Sequence, residues 1–328
     1  MPHEKKLVER VVTLLKERGQ KSVEISKEVV LMEKIKYYPL REALRYFMEE
    51  FWFDVLHPAL ISLACEAVGG KPAEAVEIGA AVVLLAGAAD IHDDIIDQTT
   101  AKGTEQTVFG KFGRDIAILA GDALLLKGLY LLHAACEHLP REKKQDILEI
   151  IKRAFFEISS GEAKEASLRG KTDISKQDYL EIIKQKVAAA EATTRIGAIL
   201  GNGTEKEVAL MGEYGRIYGI LMTVRDEFVD VFEPDELENR SKKECLPFPI
   251  LLALHDASKK SEILHLLECQ ITEERVDRIL DLSMDCSETL DFKREMKRLA
   301  ENERLRLSSI RNCKDILELL LESTLEDL

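Results

Sequence analysis

Apolar and charged positions recur at helical spacing along most of this chain. Residues 4–18 and 22–36 read as two amphipathic helices, with Leu7, Val11, Leu14 and Leu15 on one stripe. Tyr37-Tyr38-Pro39 separates them from a helix near 40–52. A further helix over 59–68 stops at Gly69-Gly70, a C-terminal signal. The next, about 73–97, is Ala, Val, Leu, Ile and Gly nearly all round, so it is expected to be buried on most faces. A loop over 99–107 leads to a helix over 115–138 that contains Gly121-Asp122. Helices over 142–169, 176–201 and 205–232 follow. A polar connection, 233–245, precedes a helix over 246–256 and a charged helical tail.

Two of these helices end in acids. Asp93-Asp94-Ile-Ile-Asp97 closes the first and Asp226-Glu227-Phe-Val-Asp230 the second. On a helix the third acid of each cluster lies four residues from its first and three from its second, so one face carries both. Acids on a solvent-facing helix are ordinary, but acids at the end of a buried one need a partner. So many negative charges are costly to gather unless cations neutralise them. Two such ledges facing each other would make a magnesium trap for a polyphosphate.

Composition supports helices: Gly (18) and Pro (8) are sparse, with no glycine after Gly219 and no proline between Pro140 and Pro234. At 328 residues, with no internal repeat, low-complexity tract or linker, the chain reads as one domain. Within it, N-terminal helices (1–50), a catalytic core (51–255) and C-terminal helices (256–328) are distinguished. A net charge of −14 argues against general nucleic-acid binding or docking on anionic membranes. An anionic substrate stays compatible, because magnesium inverts the local sign. Cys65, Cys136, Cys245, Cys269, Cys286 and Cys313 show no metal-ligand spacing, so a reduced, cytoplasmic protein is expected. The charged start lacks an apolar signal region, and the longest apolar run, 78–89, is short for a membrane span.

At these residues the sequence resembles the trans-polyprenyl diphosphate synthases, which make farnesyl, geranylgeranyl and longer diphosphates. The anchors are Ile91-His-Asp-Asp-Ile-Ile-Asp97, Phe112-Gly113 leading into Ala117-Ile-Leu-Ala-Gly121-Asp122, and Gly219 followed by Arg225-Asp226-Glu227-Phe-Val-Asp230. The likeness runs from roughly residue 50 to residue 255. It implies an all-α, isoprenoid-synthase-type helical bundle around a central apolar cavity. A homodimer is expected, with a heterodimer as the alternative. It further implies three magnesium ions held by Asp93, Asp94, Asp97, Asp226, Glu227 and Asp230, gripping the diphosphate of an allylic substrate as a leaving group. The double bond of isopentenyl diphosphate then attacks the allylic cation. Glu227 stands where the family has a second Asp, and Lys186 matches a lysine that contacts the allylic diphosphate. Asp93, Asp226 and Lys186 are thus the expected catalytic residues.

The departures concentrate on the second substrate. The family's Gly-Gly-Lys-Arg-x-Arg-Pro ends here as Asp54-Val55-Leu-His57-Pro58, replacing a lysine and two arginines. Arg-Arg-Gly becomes Ala101-Lys102-Gly103, Lys-Thr becomes Lys186-Val187, and a glutamine becomes Thr223. Arg240, Lys242 and Lys243 remain as candidate phosphate contacts in the connection, and His57, Lys102, Lys111 and Arg114 are candidates elsewhere. Each charge-assisted phosphate bond contributes roughly 1.5–3 kcal/mol, so losing several should weaken isopentenyl diphosphate binding by orders of magnitude.

Among neighbours of the acids, structural hydrogen bonding suits His92 better than metal ligation, and Asp90 suits a cap, a salt bridge or magnesium. Ala88 and Ala89 occupy the positions that limit product length in the family. Two alanines leave that floor open, which favours a geranylgeranyl or longer product that Ala88→Phe should shorten.

Two other functions fit the departures. One is a class I terpene-synthase-like enzyme that ionises an allylic diphosphate for cyclisation or another acceptor. The other is a non-catalytic partner subunit of a heteromeric synthase, which would not need complete acid sets. A di-iron bundle would require paired Glu-x-x-His motifs, and only Glu262-Ile-Leu-His265 fits. The acidic C-terminal end, Glu326-Asp327-Leu328, lacks the family's basic close.

Overall fold

Among the described residues the fold is all-α apart from one very short hairpin. The computed structural model describes residues 2–232, 234–268 and 270–325, so Cys269, Glu233 and the acidic end at 326–328 lie outside the described residues. Contacts sort the chain into two compact units. One holds the residues up to 151, with 192–212 and 310–313; the other holds 152–191, 213–309 and those from 314.

In the first unit, α1 (Pro2–Leu31) is continuous where two helices were expected. A Cβ on Gly19 would lie 2.4 Å from the Val55 carbonyl oxygen, so the helix passes close to that backbone. After α1 come α2 (Tyr38–Tyr46), with proline in its first turn, and a π turn (Phe47–Phe51). α3 (Leu56–Ala67) follows and ends where Gly69 takes φ 99°, letting the Gly70 N–H donate to the Cys65 carbonyl at 2.9 Å. α4 (Val76–Asp97) packs along α6 (Arg114–Ala135), with the short α5 (Val108–Phe112) between them in sequence. One apolar cluster joins Phe47, Leu84, Ala88, Ile91, Ala117, Ala120 and Leu124; a second joins Ile61, Ile78, Leu132, Ile147 and Ile196. Burying that many apolar side chains, each worth ~1.5–3 kcal/mol, makes α4 the axis of this unit.

Two segments, Pro72–Asp97 and Arg114–Ala135, are long and apolar enough to cross a membrane by length and composition. The apolar run at 78–89 lies within the first of them. Within this unit α4 spends its apolar residues on the core, whereas α6 leaves Ile118, Leu119, Leu126, Leu129 and Tyr130 exposed.

α7 (Arg141–Ala166) begins in the first unit and ends in the second. The helix expected over 176–201 is two, α8 (Lys176–Lys186) and α9 (Ala188–Leu200), broken at Val187. Val187 packs against Gly219 of α10 (Glu205–Val229), where a Cβ would lie 2.8 Å from the valine Cβ. The expected polar connection is helical: α11 (Pro234–Lys243) turns Leu237 and Arg240, three residues apart, into the second unit. α12 (Phe248–Ala253), α13 (Ala257–Glu268), α14 (Glu273–Met284), α15 (Ser287–Arg306) and α16 (Lys314–Ser323) complete it.

Glu303 on α15 is fully buried, its Oε1 has no hydrogen-bond partner, and Arg306 reaches Oε2 only at 3.4 Å. Burial pushes its carboxyl from an ordinary 4.5 up to about 7. A raised folded-state value means that the protonated form suits the fold. The penalty is therefore absent below the unfolded value, grows as pH rises through it, and is complete above about 7. Glu303→Gln is expected to stabilise the chain by roughly 1–3 kcal/mol at alkaline pH and hardly at all at acid pH. Thermal unfolding of both proteins at the two extremes checks this; equal effects would contradict it.

Candidate functional site

In the first unit the acids sit on the last turn of α4. The helix stops at Gln98, which takes φ 58° and donates its N–H to the Asp94 carbonyl. A two-residue hairpin, β1 (Ala101–Lys102) against β2 (Glu105–Gln106), then doubles back, with Gly103 at φ 58° in its turn. This fold-back delivers Lys102 to the acids: its Nζ lies 2.6 Å from Asp90 Oδ1 and 3.0 Å from Asp94 Oδ1. Burial raises the Asp94 carboxyl to about 7 against the opposing pull of Lys102, while Asp90 and Asp94 hold the Lys102 ammonium above its ordinary value despite burial. Asp94 is buried; Asp93 and Asp97, four residues apart, are half-buried.

His92 faces α6. Its Nε2 lies 3.4 Å from Asp122 Oδ1, and a Cβ on Gly121 would approach that same nitrogen to 2.4 Å. Gly121 thus seats the ring and Asp122 faces it, which accounts for the Gly-Asp pair.

In the second unit the second cluster repeats this burial order. Asp226 is exposed, Asp230 is half-buried, and Glu227 between them is buried. Arg240 of α11 takes the place that Lys102 has at the first cluster. Its Nη2 donates to both Glu227 oxygens at 3.0 Å and to the Tyr179 hydroxyl at 3.0 Å. Its Nη1 donates to Asp230 Oδ2 at 2.5 Å, and its Nε to the Cys245 carbonyl at 3.0 Å. Glu227 Oε2 also accepts the Phe248 N–H at 2.8 Å. Burial raises the Glu227 carboxyl, and Arg240 pulls against that rise.

The basic candidates fare differently. Lys186, ending α8, pairs with Glu165 and lies 3.3 Å from Glu162, both on α7. Arg240 was read as a phosphate contact and is instead an internal cation, because α11 turns it inward. Lys242 pairs with Glu238 on the same helix, and Lys243 is exposed beside it. Thr223 is half-buried on α10, one turn before Asp226. Arg114 is exposed at the start of α6, and Lys111 lies over the Tyr46 ring at 3.5 Å. His57 is engaged: Asp54 Oδ2 lies 2.8 Å from its Nδ1, while Asp54 Oδ1 accepts the Leu56 and His57 N–H groups at the start of α3. Burial opposes charge on both, but each holds the other ionised, with Asp54 below its ordinary value and His57 above. Ala88 is buried in the core cluster, and Ala89 is exposed.

The donor chemistry suits a hard divalent cation. Asp90 Oδ2, Asp93 Oδ1 and Asp94 Oδ2 are buried with no hydrogen-bond partner, leaving acceptor capacity that a cation would fill. Among the described residues no three His, Cys, Asp or Glu gather closely enough to hold an ion alone.

The sequence profile of the polyprenyl synthetase family matches residues 55–283. The chain is 33% identical over 182 residues to a short chain isoprenyl diphosphate synthase from Methanothermobacter thermautotrophicus, covering 55% of each. It is 31% identical over 223 residues to a geranylgeranyl diphosphate synthase from Sulfolobus acidocaldarius, covering 67% of this chain and 65% of that one. The chain therefore spans between about half and two thirds of the length of these curated relatives. A chloroplastic heterodimeric geranylgeranyl pyrophosphate synthase large subunit from Arabidopsis thaliana is 29% identical over 278 residues, 78% of this chain and 70% of that one. In fold, the geranylgeranyl pyrophosphate synthetase of Pyrococcus horikoshii superposes with a TM-score of 0.85 at 24% identity, covering 97% of this chain and 99% of that one.

Proposed function

The chain belongs to the polyprenyl synthetase family, and on that premise we propose that it elongates an allylic prenyl diphosphate with isopentenyl diphosphate. The observation that carries this reading is the repeated acid pattern. At the end of each of two helices, the first and third acids lie outward while the middle one is buried against a cation. Magnesium bound at such acids supplies positive charge to a departing diphosphate.

The chain's own residues do the rest. Asp93, Asp97, Asp226 and Asp230 are the acids placed to meet such ions. Lys102 is 44% exposed, so it can leave Asp94 and present its ammonium to a phosphate oxygen. Lys186, fixed at the C-terminal end of α8 by two α7 carboxylates, offers a second cation. As the substrate C1–O bond breaks, its electron pair leaves with pyrophosphate. The isopentenyl double bond then forms the new C–C bond to C1, and a proton is lost to restore the alkene.

Incubation with farnesyl diphosphate, isopentenyl diphosphate and magnesium should give a diphosphate one or more isoprene units longer, read by mass spectrometry. Pyrophosphate release with no longer product would sink elongation. It would support the second reading, transfer to another acceptor or cyclisation. That reading is favoured by Asp54 and His57, which bond each other where the family has isopentenyl-binding cations.

The likeness to one subunit of a heterodimeric synthase keeps a heteromeric assembly open, and the apolar stripe on α6 supports association with a second copy. The free state of Cys65, Cys136, Cys245, Cys286 and Cys313 supports a reducing, cytoplasmic setting.

Product length is best tested at Ala89. Ala88 is buried among Leu84, Ile91 and Phe47, so a phenylalanine there would overpack the core, at a cost of about 1–3 kcal/mol. Ala89 has room, and Ala89→Phe is expected to shift the product distribution at least one isoprene unit shorter. An unchanged distribution would exclude a role for this turn in chain length.

A further inference from the structure

We infer that Arg240 is a resident cation of the second acidic cluster, that Glu227 is its counter-ion, and that Glu227 is not a metal ligand. This rests on the proposed reading of the acids as metal-holding and goes beyond it by dividing their roles.

The contrast with the first cluster decides the matter. Lys102 is half in solvent and meets each carboxylate through one oxygen, so an arriving cation can displace it. The Arg240 side chain is 6% exposed and is fixed through three of its nitrogens. Guanidinium does not lose its proton, and its planar fork matches two acceptors at once. Withdrawing it would strand a buried charge on each side.

Glu227 is as tightly placed. Both its oxygens accept from Arg240, and one also accepts the Phe248 N–H at the start of α12. To ligate a metal it would have to abandon these bonds and leave the interior. Asp230 gives Oδ2 to Arg240 while remaining half-buried, so Arg240 also fixes the orientation of that carboxylate. The extra methylene of Glu over Asp has a use here: it carries the carboxylate inward to the guanidinium. Arg240 is thus a positioning residue, one helix away in sequence from the acids that it orders.

The test is Mn2+ titration in the presence of inorganic pyrophosphate, with free Mn2+ read by electron paramagnetic resonance. Wild-type protein, Glu227→Gln, Asp226→Asn and Arg240→Lys are compared, each checked for helicity by circular dichroism. Glu227→Gln is expected to keep the wild-type number of bound ions and an affinity within about 3-fold, whereas Asp226→Asn loses at least ~10-fold. A loss in Glu227→Gln as large as in Asp226→Asn overturns the inference alone. Wild-type protein that binds no Mn2+ overturns the metal reading and this inference with it. Should Glu227→Gln not fold, Arg240→Lys carries the decision. An affinity within about 3-fold of wild type supports the assignment. Weaker binding also supports it, because a lysine lacks the fork that orients Asp230; tighter binding overturns it, since metal would then compete with Arg240 for Glu227.

Discussion

Asp93→Asn is expected to lower turnover of an allylic diphosphate at least ~100-fold, and Asp226→Asn to do the same, each measured as pyrophosphate release under saturating magnesium. Two features of the structure set that size. Asp93 Oδ1 is buried without a hydrogen-bond partner, so the carboxylate has no internal role that an amide could take over. Asp226 is exposed on the last turn of α10. An amide still offers an oxygen, but without the negative charge that holds a divalent ion. A loss of about 3 kcal/mol in transition-state stabilisation is a factor of roughly 100 in rate. Helicity and unfolding temperature should remain near wild type in both variants. Full activity in either one would remove that acid from the mechanism.

Arg240→Met has the largest expected effect on stability, a loss of about 3–5 kcal/mol seen in urea unfolding. The cause is less the loss of attraction than what remains behind. Glu227 keeps its buried position with a charge and only the Phe248 N–H for company, while the Tyr179 hydroxyl and the Cys245 carbonyl lose their donor. Neutralising the stranded partner should restore part of the loss. Arg240→Met combined with Glu227→Gln is expected to recover at least ~1 kcal/mol relative to the single variant. If both changes simply add, the two residues are not coupled and the buried network has been misread.

What could be seen in the sequence was whatever a helix displays along itself. α4 and α10 are apolar bodies with acidic ends, and that change of character within one helix marked the acid clusters. The Gly-Asp pair at 121–122 was equally visible, although its reason, a ring seated on a glycine, needed α4 and α6 side by side.

What escaped was set by partners distant in sequence. The continuity of α1 escaped because the place of Gly19 in it is set by the Val55 backbone. Segment 234–243 looked like a connection because its inward face is only Leu237 and an arginine, and an arginine does not register as a core residue. Asp54 read as a lost substrate contact and His57 as a candidate one, and the structure pairs them with each other, Asp54 also serving as the helix-start acceptor. A signal for Arg240 did exist: a buried glutamate in the second cluster requires a cation, and the nearest downstream arginine on a helix supplies it.

The most direct test of the central claim is pyrophosphate release from farnesyl diphosphate with magnesium, measured with and without isopentenyl diphosphate. Release that requires isopentenyl diphosphate, stops with a chelator and falls at least ~100-fold in Asp93→Asn is the expected result. Wild-type protein that releases no pyrophosphate from geranyl, farnesyl or geranylgeranyl diphosphate, with magnesium and isopentenyl diphosphate both present, would contradict it.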